Sequence, residues 1–514
     1  MRTESSIKNI TTGILLQIVT VVFGFIARKI FVSYMGIELL GINGLLSNVI
    51  SMLSLVELGV GTAIFYSLYK PLAEKDYNQV HAIMNLYEKL YRYIAIAVLI
   101  LGILIIPFLK YFVNTTISMS YVKLIYFIFV IDSALSYILT YRRNILLADQ
   151  KMHIFNRLSV LYSIVCSIVQ IAIIIITKNY ILYLVIKIVL VLIQNLQVYI
   201  ITNKRYPYLQ EALEEPLKKE IKNDIIKNTK ALLVINIAAY FVFGTDNILL
   251  SYFLGVSIVG IYSNYSVIVS TIEGLISRIF QGIQASFGNF LLEESLDKAY
   301  EIFNVLYFVN FWISTFCSVS LIVLLNPFIE IVFGEEMLFS VVTIFFIVYN
   351  FYIKSMTSSV EVVKNGAGLY SPYPFAKYWS IVEGILNLVA SIILVKYFRL
   401  GTLGVFAGTT ISRLVTLIVD PYNVHRYIFK TSIKNYFLKY IEYTSIFFGI
   451  TGLVIFITKV ITFNNLFVEF IFKGICCIII PNIIILALFF KSKEFRYLID
   501  KFNIRSKLLK KFNR

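Results

Sequence analysis

The fold class this sequence predicts is an all-α polytopic membrane protein of about 14 transmembrane helices. They form two six-helix parallel-repeat lobes around a central cavity, plus two C-terminal helices. Three observations predict it. Hydrophobic residues fill 59% of the 514 positions and the mean hydropathy is +0.82, more apolar surface than a soluble domain can hide. Runs of about 18 or more apolar residues recur along the whole chain, where a β-barrel would show segments of about ten alternating residues. A nine-residue phrase, YMGIELLGI at Tyr34–Ile42, returns as FLGVSIVGI at Phe253–Ile261.

Apolar runs place the spans near 10–34, 41–69, 91–110, 122–141, 156–177, 181–202, 230–252, 258–290, 301–325, 338–363, 376–396, 401–420, 440–459 and 466–490. The first run follows Met1–Asn9 directly, so it reads as a signal anchor and not as a cleavable leader. With the N-terminus in the cytosol, the inside segments hold roughly 33 Lys and Arg and the outside segments about 6. That asymmetry predicts cytosolic N- and C-termini. It also explains the net charge of +17 as topology and not as a nucleic-acid footprint. The tail from Lys491 should lie against anionic membrane lipids. Two cytosolic pieces, Lys70–Arg92 and Asn203–Lys230, read as amphipathic interfacial helices, with Pro71 at a helix start and Pro216 breaking the second. The four Cys lie in apolar runs without a C-x-x-C pair, and the three His show no i, i+4 pairing, so neither a disulfide framework nor a metal centre is expected.

The echo fits a duplication. At an offset of 219 residues Gly36 falls on Gly255, Gly41 on Gly260, Ser47 on Ser266 and Ser51 on Ser270. SIVCSIVQIA at Ser163–Ala172 matches SIVEGILNLV at Ser380–Val389 at an offset of 217. Chance similarity between short Gly-containing apolar strings is the alternative, and the coincident offsets argue against it. Both copies start on the cytosolic side, so the repeats are parallel and a cavity is expected between them. The expected divisions are an N-terminal lobe at 1–202, a cytosolic linker at 203–229, a C-terminal lobe at 230–430, two extra spans at 431–490 and a basic cytosolic tail at 491–514. The glycines of each phrase are expected to permit a tight turn at the outer face.

A helix facing lipid has no use for polar residues, whereas one facing a watery cavity does. Gly13, Gln17, Thr20, Gly24 and Arg28 share one face of span one. Asn43, Ser47, Ser51, Ser54, Glu57 and Gly61 do so on span two. On span eight the stripe runs through Tyr262, Ser266, Ser270, Glu273, Ser277, Gln281, Gln284 and Gly288, and span seven offers Asn236, Tyr240 and Asn247, with Asp246 beside them. Close packing through small residues accounts for Gly and Ser, but not for Gln, Glu and Arg on the same faces.

Cations inside spans cost about 2.5–3.5 kcal/mol each at mid-bilayer and so ask for a reason. Arg28, Lys29, Lys187, Arg278, Lys354, Arg413 and Lys473 are such residues. Lys29 is near enough to the surface to snorkel, Arg28 continues the polar face, and Lys187 and Lys473 read as snorkelling. A cavity lined by several cations, mainly Arg, suits a phosphate or diphosphate. The candidate substrate-binding set is therefore Arg28, Lys29, Arg278, Lys354 and Arg413, with Gln17 and Gln281. Glu57, Asp246 and Glu273 are candidates for charge balance or for coupling to H⁺ or Na⁺; as structural ion-pair partners they have a blander reading. No P-loop string and no nucleophile constellation is present, so transport without a cofactor, not catalysis, is the reading left.

The stretch from Gly24 to Asp76, opening GFIARKIFVSYMGIELLGINGLLSNV, resembles the start of bacterial polysaccharide flippases of the Wzx type. These belong to the multidrug/oligosaccharidyl-lipid/polysaccharide exporter superfamily. ILNLVASIILVKYFRLGTLGVFAGTTIS, from Ile385, resembles their second-half signature. The resemblance implies 12 to 14 helices in two lobes, a V-shaped cavity and alternating access in a bacterial cytoplasmic membrane. The implied cargo is an undecaprenyl-diphosphate-linked oligosaccharide, made for capsule, O-antigen or a similar polysaccharide, with a polysaccharide polymerase as a possible partner. Arg28 and Arg278 are the best matches to the arginines that meet the diphosphate in such families. NGAGLYSPYPFAK, from Asn365, departs from the more charged loop usual there, so any role of that loop is in doubt. A cation-coupled multidrug exporter of the same fold and a membrane glycan polymerase or ligase are the alternatives.

Overall fold

The computed structural model describes residues 21–149, 151–211, 216–223, 225–226, 229, 245–367 and 376–501. All regular structure among them is helical, as expected where lipid offers the backbone no hydrogen-bond partner. The chain divides into two compact units, Met1–Gly260 and Ile261–Arg514. Eleven helices among the described residues are long and apolar enough to cross a membrane. They correspond one for one to the expected spans other than the first, second and seventh. The first and seventh fall partly or mostly outside the described residues.

In the first unit α1 covers residues 21–35, followed by α2 (Ile37–Leu53), α3 (Leu55–Glu74), α4 (Tyr77–Ile105) and α5 (Met119–Tyr137). Then come α6 (Arg143–Ala148), α7 (Met152–Thr177), α8 (Tyr180–Arg205) and α9 (Asp246–Leu254). The expected second span is thus two helices. Ser51 and Ser54 turn their hydroxyls back onto the carbonyls of Ser47 and Ile50 at 2.8 and 3.0 Å, a contact that bends helices. Pro71 lies inside α3 and does not start a helix. Nor is Lys70–Arg92 a separate interfacial helix: Asp76 accepts from the Gln79 amide at 3.1 Å and caps one continuous α4 of 29 residues. Part of the 203–229 linker lies outside the described residues; Pro207–Gln210 forms a single 3₁₀ turn.

The repeated phrase has two glycines with different jobs, which corrects the expectation that both make turns. Gly36 and Gly255 have φ of 84° and 91° and turn the chain into the next helix. Gly41 and Gly260 are helical. A Cβ on Gly41 would strike the Val256 carbonyl, and one on Gly260 would strike the Ile37 carbonyl. At an offset of 219 residues those two contacts are the same contact, made reciprocally. The loop after α4 straps this crossing. The Asn114 carbonyl accepts from the Val256 amide at 2.9 Å, the Phe112 carbonyl accepts from Ser251 at 2.7 Å, and Thr115 and Thr116 donate to Glu38 at 2.6–2.7 Å.

The second repeat continues through α10 (Val256–Glu293), α11 (Leu296–Phe333), α12 (Val341–Met356), α13 (Ser358–Gly366), α14 (Ala376–Lys396) and α15 (Thr402–Asn423). A π turn at Val424–Phe429 leads to α16 (Lys434–Val460), α17 (Leu466–Phe489) and α18 (Lys493–Lys501). At 38 residues each, α10 and α11 run roughly 57 Å, longer than a bilayer core. The tenth span is broken at Thr357, whose hydroxyl donates to the Lys354 carbonyl at 2.7 Å. The last two long helices are bound to this unit by aromatic contacts: α16 through Tyr352 on Phe447 with centroids 4.3 Å apart and Phe311 on Tyr443 at 4.1 Å, and α17 through Phe308 against Phe489 at 5.2 Å.

Candidate functional site

In the second unit the polar stripe of α10 meets the break between α12 and α13. A cavity of about 300 Å³ lies there, lined by Ser270, Glu273, Ser277, Lys354, Ser358 and Glu361. Lys354 Nζ donates to Glu273 Oε2 at 2.7 Å. Irregular backbone at membrane depth is tolerated where it lines such a space, and the Thr357 break meets that condition. The lining carries one cation against two carboxylates. A second space of about 560 Å³ is bordered by Gln281, Gln284, Asn289 and Asn365, all neutral amides. Gln281 also donates to Ser277 at 3.0 Å. Arg278 is exposed on α10 and lines neither space.

Arg413 sits elsewhere in the same unit. Its Nη1 donates to the Asn350 carbonyl at 2.8 Å. Beside it Glu383 is buried and accepts from Thr416, and Lys364 pairs with Asp420 at 2.6 Å. Arg413 thus belongs to a charge cluster among α12–α15 and is not part of the Lys354 lining.

In the first unit Arg28 is half-buried on α1 and interacts electrostatically with Tyr183, while Lys29, the next residue, is exposed. Phe31 holds this face against α8, with its ring centroid 5.5 Å from Tyr180 and 5.3 Å from Tyr183. Asp246 opens α9 and is half-buried. Gln17, with Asn236 and Tyr240, lies outside the described residues. Glu57 on α3 accepts from Tyr91 at 2.6 Å; Tyr91 accepts from Tyr87 at 3.0 Å; Asn144 donates to Tyr87. This is a chain of hydroxyls running from a carboxylate at membrane depth toward α6. Lys187, read from the sequence as snorkelling, instead donates to Asp132 at 2.9 Å, and Lys473 pairs with Glu469 on its own helix.

Sequence reasoning missed Arg142. It is 6% exposed and lies between the rings of Tyr141 and Tyr199, its guanidinium 5.2 and 5.1 Å from their centroids. Its Nε donates to Tyr141 Oη at 3.2 Å, and Tyr141 donates to Glu88 at 2.7 Å. In TYRRN it looks like one more cytosolic loop charge; the aromatic neighbour was the available signal.

One charge outside the spans has a clear direction. Partial burial works to raise the Glu38 carboxyl, but hydrogen bonds from Thr115 and Thr116 outweigh it and hold the acid below its usual range.

Solved structures share this fold. The lipid II flippase MurJ in an inward closed conformation aligns with a TM-score of 0.66 at 13% identity, covering 93% of this chain and 99% of that one. A multidrug resistance MATE family transporter of the MOP superfamily, inward-facing, aligns at 0.62 and 14%, covering 78% and 92%. A MATE structure in a bent conformation aligns at 0.51 and 14%, covering 79% and 90%. At these identities the likeness is one of fold. No curated protein matches the chain. The family described as "Polysaccharide biosynthesis protein" matches residues 6–283.

Proposed function

The chain belongs to the polysaccharide biosynthesis protein family, and from that premise we propose that it is a flippase. Its cargo in this reading is an undecaprenyl-diphosphate-linked oligosaccharide, moved from the cytosolic to the outer leaflet of a bacterial cytoplasmic membrane by alternating access. The glycan then serves capsule, O-antigen or a similar surface polysaccharide, with a polymerase downstream. The N- and C-termini face the cytosol in this reading, as loop charge requires.

The observation that carries the reading is a cation at membrane depth facing a polar cavity, Lys354 beside Glu273, in a chain of this family. A diphosphate offers Lys354 a stronger anionic partner than one carboxylate does. Arg28 supplies the equivalent charge in the first unit. Lys29, next to Arg28, and Gln281, on α10 with Glu273, are secondary contacts in this reading, whereas Arg278 and Arg413 stand outside the Lys354 cavity. A proton or Na⁺ taken by Glu273 releases Lys354 to the cargo, and its loss draws Lys354 back; Glu57 and Asp246 balance charge in the first unit. The test is deletion of the gene: lipid-linked oligosaccharide should accumulate on the cytosolic leaflet, and Arg28→Ala or Lys354→Ala should fail to relieve this while being present as folded protein. Normal surface glycan in both variants would overturn the diphosphate role.

One observation favours a second reading, a cation-coupled exporter of cationic drugs. Glu273 and Glu361 outnumber Lys354 in the cavity lining. Drug-resistance assays on the deletion strain separate the two, since only the exporter reading expects sensitivity to rise.

A further inference from the structure

The π turn at Val424–Phe429 builds a third polar space, remote in sequence from the Lys354 cavity and of opposite charge. It encloses about 510 Å³ and is lined by Tyr422, His425, Arg426, Lys430 and Thr431, among others. No lining residue is acidic. Single π turns within helices recur at functional sites because the extra residue redirects side chains. Here the turn ends at Lys430, in the left-handed region with φ 54°, and closes with the Thr431 amide donating to the His425 carbonyl at 3.0 Å.

His425 is 1% exposed. Its Nδ1 lies 2.8 Å from the Pro421 carbonyl. A carbonyl only accepts, so Nδ1 carries the proton and Nε2 is the atom left for a ligand. Among the described residues Nε2 has no hydrogen-bond partner, and neither has the buried hydroxyl of Thr431. Native structures rarely leave two such atoms at one site without an occupant. Arg426 and Lys430 are exposed at the rim, and the Arg426 guanidinium lies 6.0 and 5.9 Å from the Tyr422 and Tyr427 ring centroids. Loop charge places this turn at the cytosolic membrane surface. An exposed apolar stripe, Ile411, Leu414 and Ile418, steps along α15 at helical spacing and ends at Tyr422. The site thus offers an anion pocket at headgroup depth and an apolar path running from it along the helix.

We propose that this turn binds the phosphate of an anionic lipid headgroup, with the acyl chains lying along Ile411–Ile418. Arg426 and Lys430 meet the phosphate oxygens, the Thr431 hydroxyl donates a hydrogen bond beneath them, and His425 Nε2 accepts from a hydroxyl of the headgroup. The occupant is a bilayer lipid, distinct from any cargo of the transport site.

The test uses the full chain in nanodiscs of phosphatidylcholine with phosphatidylglycerol, and native mass spectrometry of the lipid retained. The double variant Arg426→Ala/Lys430→Ala should bind phosphatidylglycerol about tenfold or more weakly. Thr431→Val, which removes no charge, should bind it about threefold more weakly. Lys396→Ala/Arg399→Ala, an equal loss of charge at exposed positions outside the site, should bind as the parent does. Melting in phosphatidylcholine alone checks that each variant is folded. Undiminished retention in the Arg426/Lys430 variant, or an equal loss in the Lys396/Arg399 variant, would overturn the site. Displacement of the lipid by inorganic phosphate would reassign the pocket to a free anion and overturn the lipid.

Discussion

Glu57 and Glu273 stand on the paired helices of the repeat, three residues out of register at the 219-residue offset, and they are satisfied in different ways. Glu273 is matched by a cation, Lys354, at 2.7 Å. Glu57 is matched by a tyrosine hydroxyl at 2.6 Å, itself backed by Tyr87 and Asn144. An ion pair ties two charges together, so changing one leaves the other costly in a low-dielectric setting. A hydroxyl serves a carboxylate and a carboxylic acid alike. The two polar helices thus differ in electrostatics: the carboxylate is held by a cation on one and by a neutral hydroxyl chain on the other.

The strongest way to break this contrast is Lys354→Ala. Export of surface glycan should fall at least tenfold with normal membrane abundance, since a charge-assisted contact to phosphate is lost. Glu273→Gln should keep much of the binding but weaken the dependence on the ion gradient. Next comes the reciprocal crossing. Gly41→Leu and Gly260→Leu each drive a side chain into a backbone carbonyl and should cost about 1–3 kcal/mol or more, read as a fall in melting temperature. Nearly equal costs would mark the two copies as equivalent; a large inequality would sharpen how far they have diverged. Tyr91→Phe leaves Glu57 without its donor and should cost about 1–2 kcal/mol, without the loss of export expected of Lys354→Ala.

The smallest effect concerns the strap between Glu38 and Thr115–Thr116. Glu38 in the folded chain is held below its unfolded value. Its stabilising effect is therefore complete above the ordinary carboxylate range and fades as pH falls through the folded value. Solvent screening limits it to a few tenths of a kcal/mol. Glu38→Gln should flatten that acid limb of a melting-temperature profile, and an unchanged profile would remove the Thr115–Thr116 strap from the account.

Most of the spans were legible because hydropathy and length decide them together. The breaks at Ser54 and Thr357 were not, since a hydroxyl folding back on its own helix leaves the apolar pattern intact. The polar stripe of span eight pointed to Glu273 and the cost of an intramembrane charge to Lys354, but neither could say that the two pair with each other. Arg413 and Lys187 looked like Lys354 on the page; their destinations, the Asn350 carbonyl and Asp132, depend on helix neighbours that periodicity does not name. Arg142 was hidden by its position, because a cation in a loop reads as topology until its rings are seen around it. The second glycine of each repeated phrase was legible as a repeat but not as a contact, since the crossing joins segments more than two hundred residues apart.

The flippase reading rests most directly on which leaflet holds the lipid-linked oligosaccharide. In spheroplasts of a strain lacking this chain, a membrane-impermeant glycan-oxidising reagent should leave that lipid unlabelled. Labelling should return with the wild-type chain and stay absent with Lys354→Ala. Equal labelling in the deletion strain and the wild type would contradict the reading.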